Sequence, residues 1–517
     1  MNVGMIANRS ARRYRDRLAV FDDRRELSYR ELDRRSNQLA NYLLDGLGLN
    51  RGDRVAFFAH NRFEVAEVLL GCAKAGVVYI GLNFRLSESE LTHIFGNSEP
   101  VVIITEGESR DLLESANADT GAPLVDLDDE GPDGYEAKLA DASDRNPDTL
   151  HDVWPGDDFC IVYTSGTTGT PKGILFDHGR VLQHTTVAAL EYEFDHETRY
   201  LMAIPHNSSD RIATIPVLTL GGSVGFYDGR GFDGVKYAQA VEDRGATHSY
   251  LVPTQVYRLL DQLPADSKAL ATMKTLGYGA APTAPERSRE MVERFGPIFN
   301  QLYGMAEICS IGTILRKSDH LLALESRPEL FASCGQPSYA VDTRVVDEDR
   351  NDVAPGERGE VIFGTPHAMK GYYRDPERTA KTLIDGWVHS GDIGEVDELG
   401  YIYIVDRMKD LIIVGGHNIA PTEIEAVMHR HPDILEVGVI GVPHQEWGES
   451  VLAAVALRPG AEASADEIQE WCRNEPSLPT VKTPARVEIL DSLPKNAIGK
   501  IAKSELRDRY WTGARRV

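Results

Sequence analysis

Apolar and polar positions along this chain follow two periods, and the switches between them mark its elements. Ser28-Tyr-Arg-Glu31 has the spacing of a helix capping box, and Leu32, Leu39 and Leu43 recur on one face of the helix it starts. The run Arg54–Phe58 predicts a short buried strand, Phe63–Ala75 a helix, and Val77–Gly81 and Val101–Thr105 two further strands. Strands alternating with helices predict a doubly wound α/β layer. Residues 106–150 are acidic and rich in proline, glycine and aspartate, which predicts a segment wandering over the surface. A second strand–helix series runs from about 175 to 315, with strands at Tyr200–Ile204, Thr247–Val252 and Lys274–Tyr278 and a helix carrying Val256, Leu259 and Leu260. From 340 to 404 the pattern becomes β-rich, with turns such as Ala354-Pro-Gly-Glu357, and Asp406-Arg-Met-Lys-Asp410 reads as a charged, hinge-like break before a compact α+β unit. The expected architecture is therefore α/β. A large N-terminal domain of doubly wound sheets covers residues 1–408, with a β-rich subdomain at about 335–405, and a small mobile α+β C-terminal domain covers 409–517.

The chain has 517 residues, long for a single core, and its net charge is −25. That charge excludes nucleic acid and anionic membrane as partners of the surface as a whole. Its 14 lysines against 41 arginines, in an acidic background, point to a salt-adapted cytoplasm where ions screen self-repulsion; a GC-rich genome with an acidic proteome gives the same composition. The five cysteines include no CxxC pair, so neither a zinc site nor a disulfide framework is indicated, and a reducing cytoplasm follows. The N-terminus shows no apolar secretory segment. The longest apolar stretch, Leu69–Leu82, contains Lys74 and is too short to span a membrane.

The densest chemistry lies in Tyr163-Thr-Ser-Gly-Thr-Thr-Gly-Thr-Pro-Lys-Gly173, between the apolar runs Phe159–Tyr163 and Gly173–Phe176. Three glycines let the backbone turn several N–H groups toward one point, five hydroxyls add donors, and Lys172 adds a charge suited to phosphate. A Walker A loop would end in Gly-Lys-Ser/Thr and open a helix; here Lys172 follows Pro171 and a strand follows. The loop predicts a polyphosphate site of another kind.

It resembles the phosphate-binding signature of the adenylate-forming superfamily, which includes acyl-CoA synthetases, peptide-synthetase adenylation domains and luciferases. The resemblance extends over nearly the whole chain. It implies that Thr164, Ser165, Gly166, Thr167, Thr168, Gly169 and Lys172 hold ATP phosphates, and that Gly279-Ala280-Ala281-Pro282 lies against the adenine. Gln301-Leu302-Tyr303-Gly304-Met-Ala306-Glu307 is similar to the Tyr-Gly-x-Thr-Glu signature: Tyr303 would cover the adenine face, and Glu307, with Thr168, would hold Mg²⁺. Ala306 departs from the family, which has a hydroxyl there, and removes one hydrogen bond worth about 1 kcal/mol. Ser390-Gly391-Asp392 and Arg407 imply contacts to the ribose, Lys409 a hinge, Gly416 a passage for the pantetheine arm of coenzyme A, and Lys500, in Pro494-Lys-Asn-Ala-Ile-Gly-Lys500, a cation on the phosphoryl oxygens. His206, 34 residues past Lys172, would lie near the acyl carboxylate and swing to admit the thiol. Gly371-Tyr-Tyr-Arg and Gly359-Glu-Val-Ile-Phe363 also match and are expected to serve the fold and the surface between domains.

The implied enzyme is an AMP-forming acyl-CoA synthetase using ATP, Mg²⁺ and coenzyme A on a small carboxylic acid, cytoplasmic, without a membrane segment and acting as a homodimer. Tyr278, Leu302, Met305, Ile308 and Ile311 make the expected acid hydrophobic, fatty or aryl. One alternative is a ligase that loads a carrier protein; peptide-synthetase domains carry an aspartate where His206 stands, although Asp210 is near, and no carrier domain follows Lys500. Two others are a luciferase-like oxygenase using the same adenylate and a non-catalytic nucleotide-binding protein, the latter encouraged only by Ala306.

Overall fold

The computed structural model describes residues 1–511 apart from 165–170, 210–212, 229, 408–409, 415–416, 446 and 496–500. The chain divides into two compact units. One holds the described residues up to Thr343 together with Phe363–Val388; the other holds Arg344–Ile362 and the described residues from His389 onward.

In the first unit the alternating pattern builds two sheets. The seven-stranded sheet runs in the order Gly371–Tyr372, Lys172–Asp177, Asp158–Thr164, Val78–Leu82, Arg54–Phe58, Val102–Thr105, Leu124–Asp126. Its middle is parallel, and Lys172–Asp177 pairs antiparallel with both of its neighbours. The nine-stranded sheet sets Arg199–Met202, His248–Leu251, Thr275–Gly279 and Phe299–Tyr303 side by side in parallel. Strand alternation assigns faces. Val55 and Phe57 enter a core shared with Tyr200, Met202 and Leu302 of the other sheet, while Ala56 and Phe58 pack with Leu91, Ile94, Phe95 and Leu113 on the opposite side. Both faces of the parallel strands are thus covered, as a doubly wound layer requires. Each fully buried Leu, Ile or Phe contributes about 1.5–3 kcal/mol.

The helix Tyr29–Asn41 starts at the expected capping box: Glu31 N donates to Ser28 Oγ at 3.3 Å and Ser28 N to Glu31 Oε2 at 2.8 Å. It packs on Glu64–Ala75 where Gly71 leaves room for Leu39. Residues 106–150 differ from expectation. They form helices Arg110–Ala116 and Tyr135–Asp141, and Leu124–Asp126 joins the sheet edge. The acidic composition hid a few well-spaced anchors: Leu113, Tyr135 and Leu139 are buried, and the Tyr135 hydroxyl donates to Glu67 Oε2 at 3.0 Å.

A five-stranded sheet carries Asp342–Val346, Arg358–Gly364, Trp387–Val396 and Leu383–Ile384 in order, with Ile402–Arg407 antiparallel to Trp387–Val396. By contact, Arg344–Ile362 and the residues from His389 group with the C-terminal part of the chain. A second five-stranded sheet is built on the long hairpin Ile434–His444 and Gly448–Leu457, and its core joins Ile424, Met428, Val439, Val451 and Ile468. Among the described residues no helix is long and apolar enough to cross a membrane. None of the five cysteines is in a disulfide, and all are buried.

Candidate active site

The Gly/Thr-rich loop leaves from one strand and returns to the next, so its two ends are fixed by the sheet. Thr164 ends Asp158–Thr164, Lys172 begins Lys172–Asp177, and the two are register partners. Thr164 Oγ1 is buried and has no hydrogen-bond partner among the described residues, a condition that costs about 1–3 kcal/mol unless a ligand satisfies it. Ser165, Gly166, Thr167, Thr168 and Gly169 lie outside the described residues.

Lys172 lies where three segments meet. Its Nζ donates to Glu307 Oε1 at 2.5 Å and to the Tyr372 hydroxyl at 2.9 Å, and that hydroxyl donates to the same Oε1 at 2.5 Å. Glu307 belongs to the short turn Ala306–Ile308 that follows Phe299–Tyr303, and Tyr372 to the strand paired with that of Lys172. Met369 N donates to the Glu307 carbonyl at 2.7 Å. The Glu307 side chain is 4% exposed and that of Lys172 23%. A carboxylate so buried needs a counter-charge, and Lys172 supplies it while its ammonium sits 4.7 Å from the Tyr372 ring centre. Burial, and then the Glu307 charge, push the Tyr372 hydroxyl far above its ordinary range, so it remains a donor. The Gly371-Tyr-Tyr-Arg motif is expected to serve the fold and domain surface; the sheet also brings Tyr372 onto Glu307. Only the pairing of a two-residue edge strand with Lys172–Asp177 reveals this, and neither local pattern nor spacing signals it.

The segment expected to meet adenine is strained. Gly279 has φ +154°, and a Cβ there would lie 2.1 Å from the Leu302 carbonyl oxygen. Ala280 follows at φ +68°, a left-handed conformation that costs a non-glycine residue about 1 kcal/mol or more. Ala280 and Pro282 are exposed and Ala281 half-buried. Tyr303 is half-buried, its ring 5.8 Å from that of Phe363. Gly304 passes so close to the chain ahead that a Cβ would lie 2.6 Å from the Ser310 carbonyl oxygen. Cys309 and Ser310 both have positive φ, 55° and 74°, directly after the Glu307 turn. Ala306 is partly buried against the main core. Gln301 Oε1 accepts from the Tyr278 hydroxyl at 3.3 Å, and the same hydroxyl meets His320 Nε2 at 2.8 Å. Tyr278 therefore lies on the face opposite that on which Gly277 packs against Tyr192 and Tyr250. Leu302, Ile308 and Ile311 are buried in the core.

His206 opens the short helix His206–Ser209 and is fully buried. Its backbone N–H donates to Asn61 Oδ1 at 2.9 Å, Nδ1 lies 3.4 Å from the Tyr79 hydroxyl, and the ring meets Phe57 edge-on at 5.2 Å. A small cavity bounded by Leu69, Tyr79, Gly81, Cys160 and Asn207 adjoins it.

In the second unit, Asp392 and Arg407 are register partners on neighbouring strands, and Arg407 Nε donates to Asp392 Oδ1 at 3.1 Å. Gly391 takes φ +70° and donates its N–H to Glu360 Oε1 at 2.9 Å, and Ser390 Oγ accepts from Asp392 N at 2.9 Å, which fixes the turn. Lys409, Gly416 and Lys500 lie outside the described residues.

Magnesium takes hard oxygen donors. The buried Glu307 carboxylate beside a phosphate-type lysine is such a donor, so the residues present fit the ion. His60, Glu106 and Glu108 also bring ligand atoms together, but Glu108 pairs with Arg230 at 2.9 Å and Arg62 stands 3.8 Å from Glu106, so ion pairing accounts for that group.

The model of the AMP-binding enzyme family matches residues 7–373, and that of the AMP-binding enzyme C-terminal domain matches residues 423–500. The chain is 34% identical over 511 residues to the fatty acid–[acyl-carrier-protein] ligase ScoC of Streptomyces coeruleorubidus, covering 96% of this chain and 95% of that one. It is 35% identical over 489 residues to a feruloyl-CoA synthase of Amycolatopsis sp., covering 94% of each. Among solved structures, ATP-bound MatB from Rhodopseudomonas palustris aligns with a TM-score of 0.86 at 30% identity over 99% of both chains.

Proposed function

The chain belongs to the AMP-binding enzyme family, and from that premise we propose an ATP-dependent acyl-CoA synthetase acting on a hydrophobic fatty or aryl acid. The observation that carries the reading is the buried Glu307 carboxylate held against Lys172 at the foot of the Gly/Thr-rich loop. A carboxylate oxygen attacks the α-phosphorus of ATP, the bond to the β-phosphate oxygen breaks, and pyrophosphate leaves an acyl adenylate. The thiol of coenzyme A then adds to the acyl carbonyl and AMP departs. The protein contributes placement and charge.

In this reading Thr164, Ser165, Gly166, Thr167, Thr168 and Gly169 present donors to the phosphates, and Lys172 binds the β and γ groups until pyrophosphate leaves. Glu307, with Thr168, would hold magnesium, whose charge offsets that of the phosphates when bound. The strained Ala280, with Ala281 and Pro282, lies against the adenine and Tyr303 covers its other face, while Gln301, Leu302, Gly304 and Ala306 shape the surrounding backbone. Asp392 accepts from the ribose hydroxyls and Arg407 steadies it. Lys500 neutralises the phosphoryl oxygens in the first step. Lys409 is the pivot at which residues 409–517 exchange Lys500 for Gly416 and the pantetheine arm. His206 stands beside the acyl carboxylate. A cytoplasmic location, consistent with five buried cysteines outside any disulfide, and a homodimer complete the reading.

The 34% identity to a carrier-protein ligase favours a second acceptor, a phosphopantetheinyl carrier, for the same adenylate. Incubation with ATP, magnesium, a panel of acids and either coenzyme A or a holo-carrier separates the two. AMP and acyl-CoA in equal amounts support the synthetase; acyl transfer to a holo-carrier with none to coenzyme A supports the second acceptor. No AMP with any acid and either acceptor sinks both.

A further inference from the structure

We propose that Tyr372 is a positioning residue for the metal-binding carboxylate. Its hydroxyl fixes Glu307 so that the carboxylate keeps one orientation when Lys172 turns from Glu307 to the nucleotide phosphates. The proposal rests on the nucleotide reading above.

The geometry sets the problem. Lys172 neutralises Glu307 through a 2.5 Å contact, yet the same ammonium is the phosphate ligand. A polyphosphate draws it away, and a carboxylate 4% exposed then loses its counter-charge. A cation must replace it, and the carboxylate must not rotate meanwhile. Among the described residues the bonds to the Glu307 side chain, from Lys172 and from Tyr372, converge on Oε1, and Oε2 is the oxygen this proposal gives to a cation. Once Lys172 leaves, the Tyr372 O–H still holds Oε1.

Tyr372 is placed to do this. Its strand pairs with that of Lys172, with Tyr372 opposite Ile174. Its N–H donates to Thr379 Oγ1 at 2.8 Å, and Tyr373 N donates to the Gly173 carbonyl at 2.7 Å. Three residues earlier, Met369 N holds the Glu307 carbonyl at 2.7 Å. The segment 369–373 thus grips the Glu307 backbone and side chain together and ties both to the lysine strand. A supporting group on a paired strand holds a first contact more firmly than one on a free loop.

Tyr372→Phe removes the hydroxyl, with its bond to Glu307 and the one it accepts from Lys172, and keeps the ring against Lys172. The test is equilibrium binding by full-length protein of two nucleotides: the unreactive ATP analogue with a methylene between its α and β phosphates, with magnesium, and AMP alone. Tyr372→Phe is expected to weaken the magnesium–triphosphate analogue about tenfold, to raise the half-saturating magnesium concentration, and to leave AMP affinity within twofold. In a Glu307→Gln background the same change is expected to have no further effect, because Tyr372 acts through that carboxylate. Equal loss for both nucleotides, no loss for either, or additive losses in the double variant would overturn the assignment. If the parent protein binds neither nucleotide, the nucleotide reading itself fails; if the parent binds both and Tyr372→Phe does not discriminate, only the role of Tyr372 fails.

Discussion

Lys172 is assigned two partners in succession. It balances the buried Glu307 carboxylate; in the proposed reading it would bind phosphate, and the exchange would couple the two charges. Lys172→Ala should lower kcat/KM for ATP in adenylate formation about 100-fold, the scale of losing one well-placed cationic donor. Thiol transfer from a preformed acyl adenylate should change less than threefold, since pyrophosphate has already gone. Equal losses in both half-reactions would contradict the role. The residue types of this cluster were legible in part. Lys172 and Glu307 announce themselves by motif and residue chemistry, but Tyr372 lies 200 positions from Lys172. Its role depends on strand pairing that no local pattern carries.

At the level of elements, the periodicities did most of the work. The capping box at Ser28, the helix through Ala75 and the strand at Arg54–Phe58 stand where pattern placed them. The acidic composition of residues 106–150 conceals their order: Leu113, Tyr135 and Leu139 are few, yet each is buried. An apolar strand buried on both faces does not say which face a side chain takes, and the partner of Tyr278, His320, was not legible in the pattern. The junction of Thr275–Gly279 with Phe299–Tyr303 tolerates no side chain at Gly279, whose Cβ would meet the Leu302 carbonyl at 2.1 Å. Gly279→Ala is therefore expected to destabilise the first unit by about 3 kcal/mol and to weaken AMP binding, because Ala280 follows directly. Urea unfolding and AMP titration check this; a variant with the parent's midpoint and affinity would show that the strand end is looser than described.

At the scale of the whole molecule, four buried histidines contribute to the response to acid. Burial holds His178 down to about 3 and His248, His320 and His367 to about 4. Each stays neutral in the fold, while the unfolded chain takes up a proton below about 6.5. Their stabilisation is therefore complete above that pH and drains away as pH falls toward 4. His320→Gln should shrink the drop in urea midpoint between pH 7 and pH 5 relative to the parent, whatever its effect at pH 7; an unchanged drop would remove His320 from the account. Activation of a carboxylic acid by ATP is read out by exchange of labelled pyrophosphate into ATP. Exchange is expected to need magnesium and to appear only with particular hydrophobic acids, among short, medium, long-chain and aromatic candidates. Folded protein that binds ATP yet gives no exchange with any acid would rule out the ligase chemistry proposed for this chain.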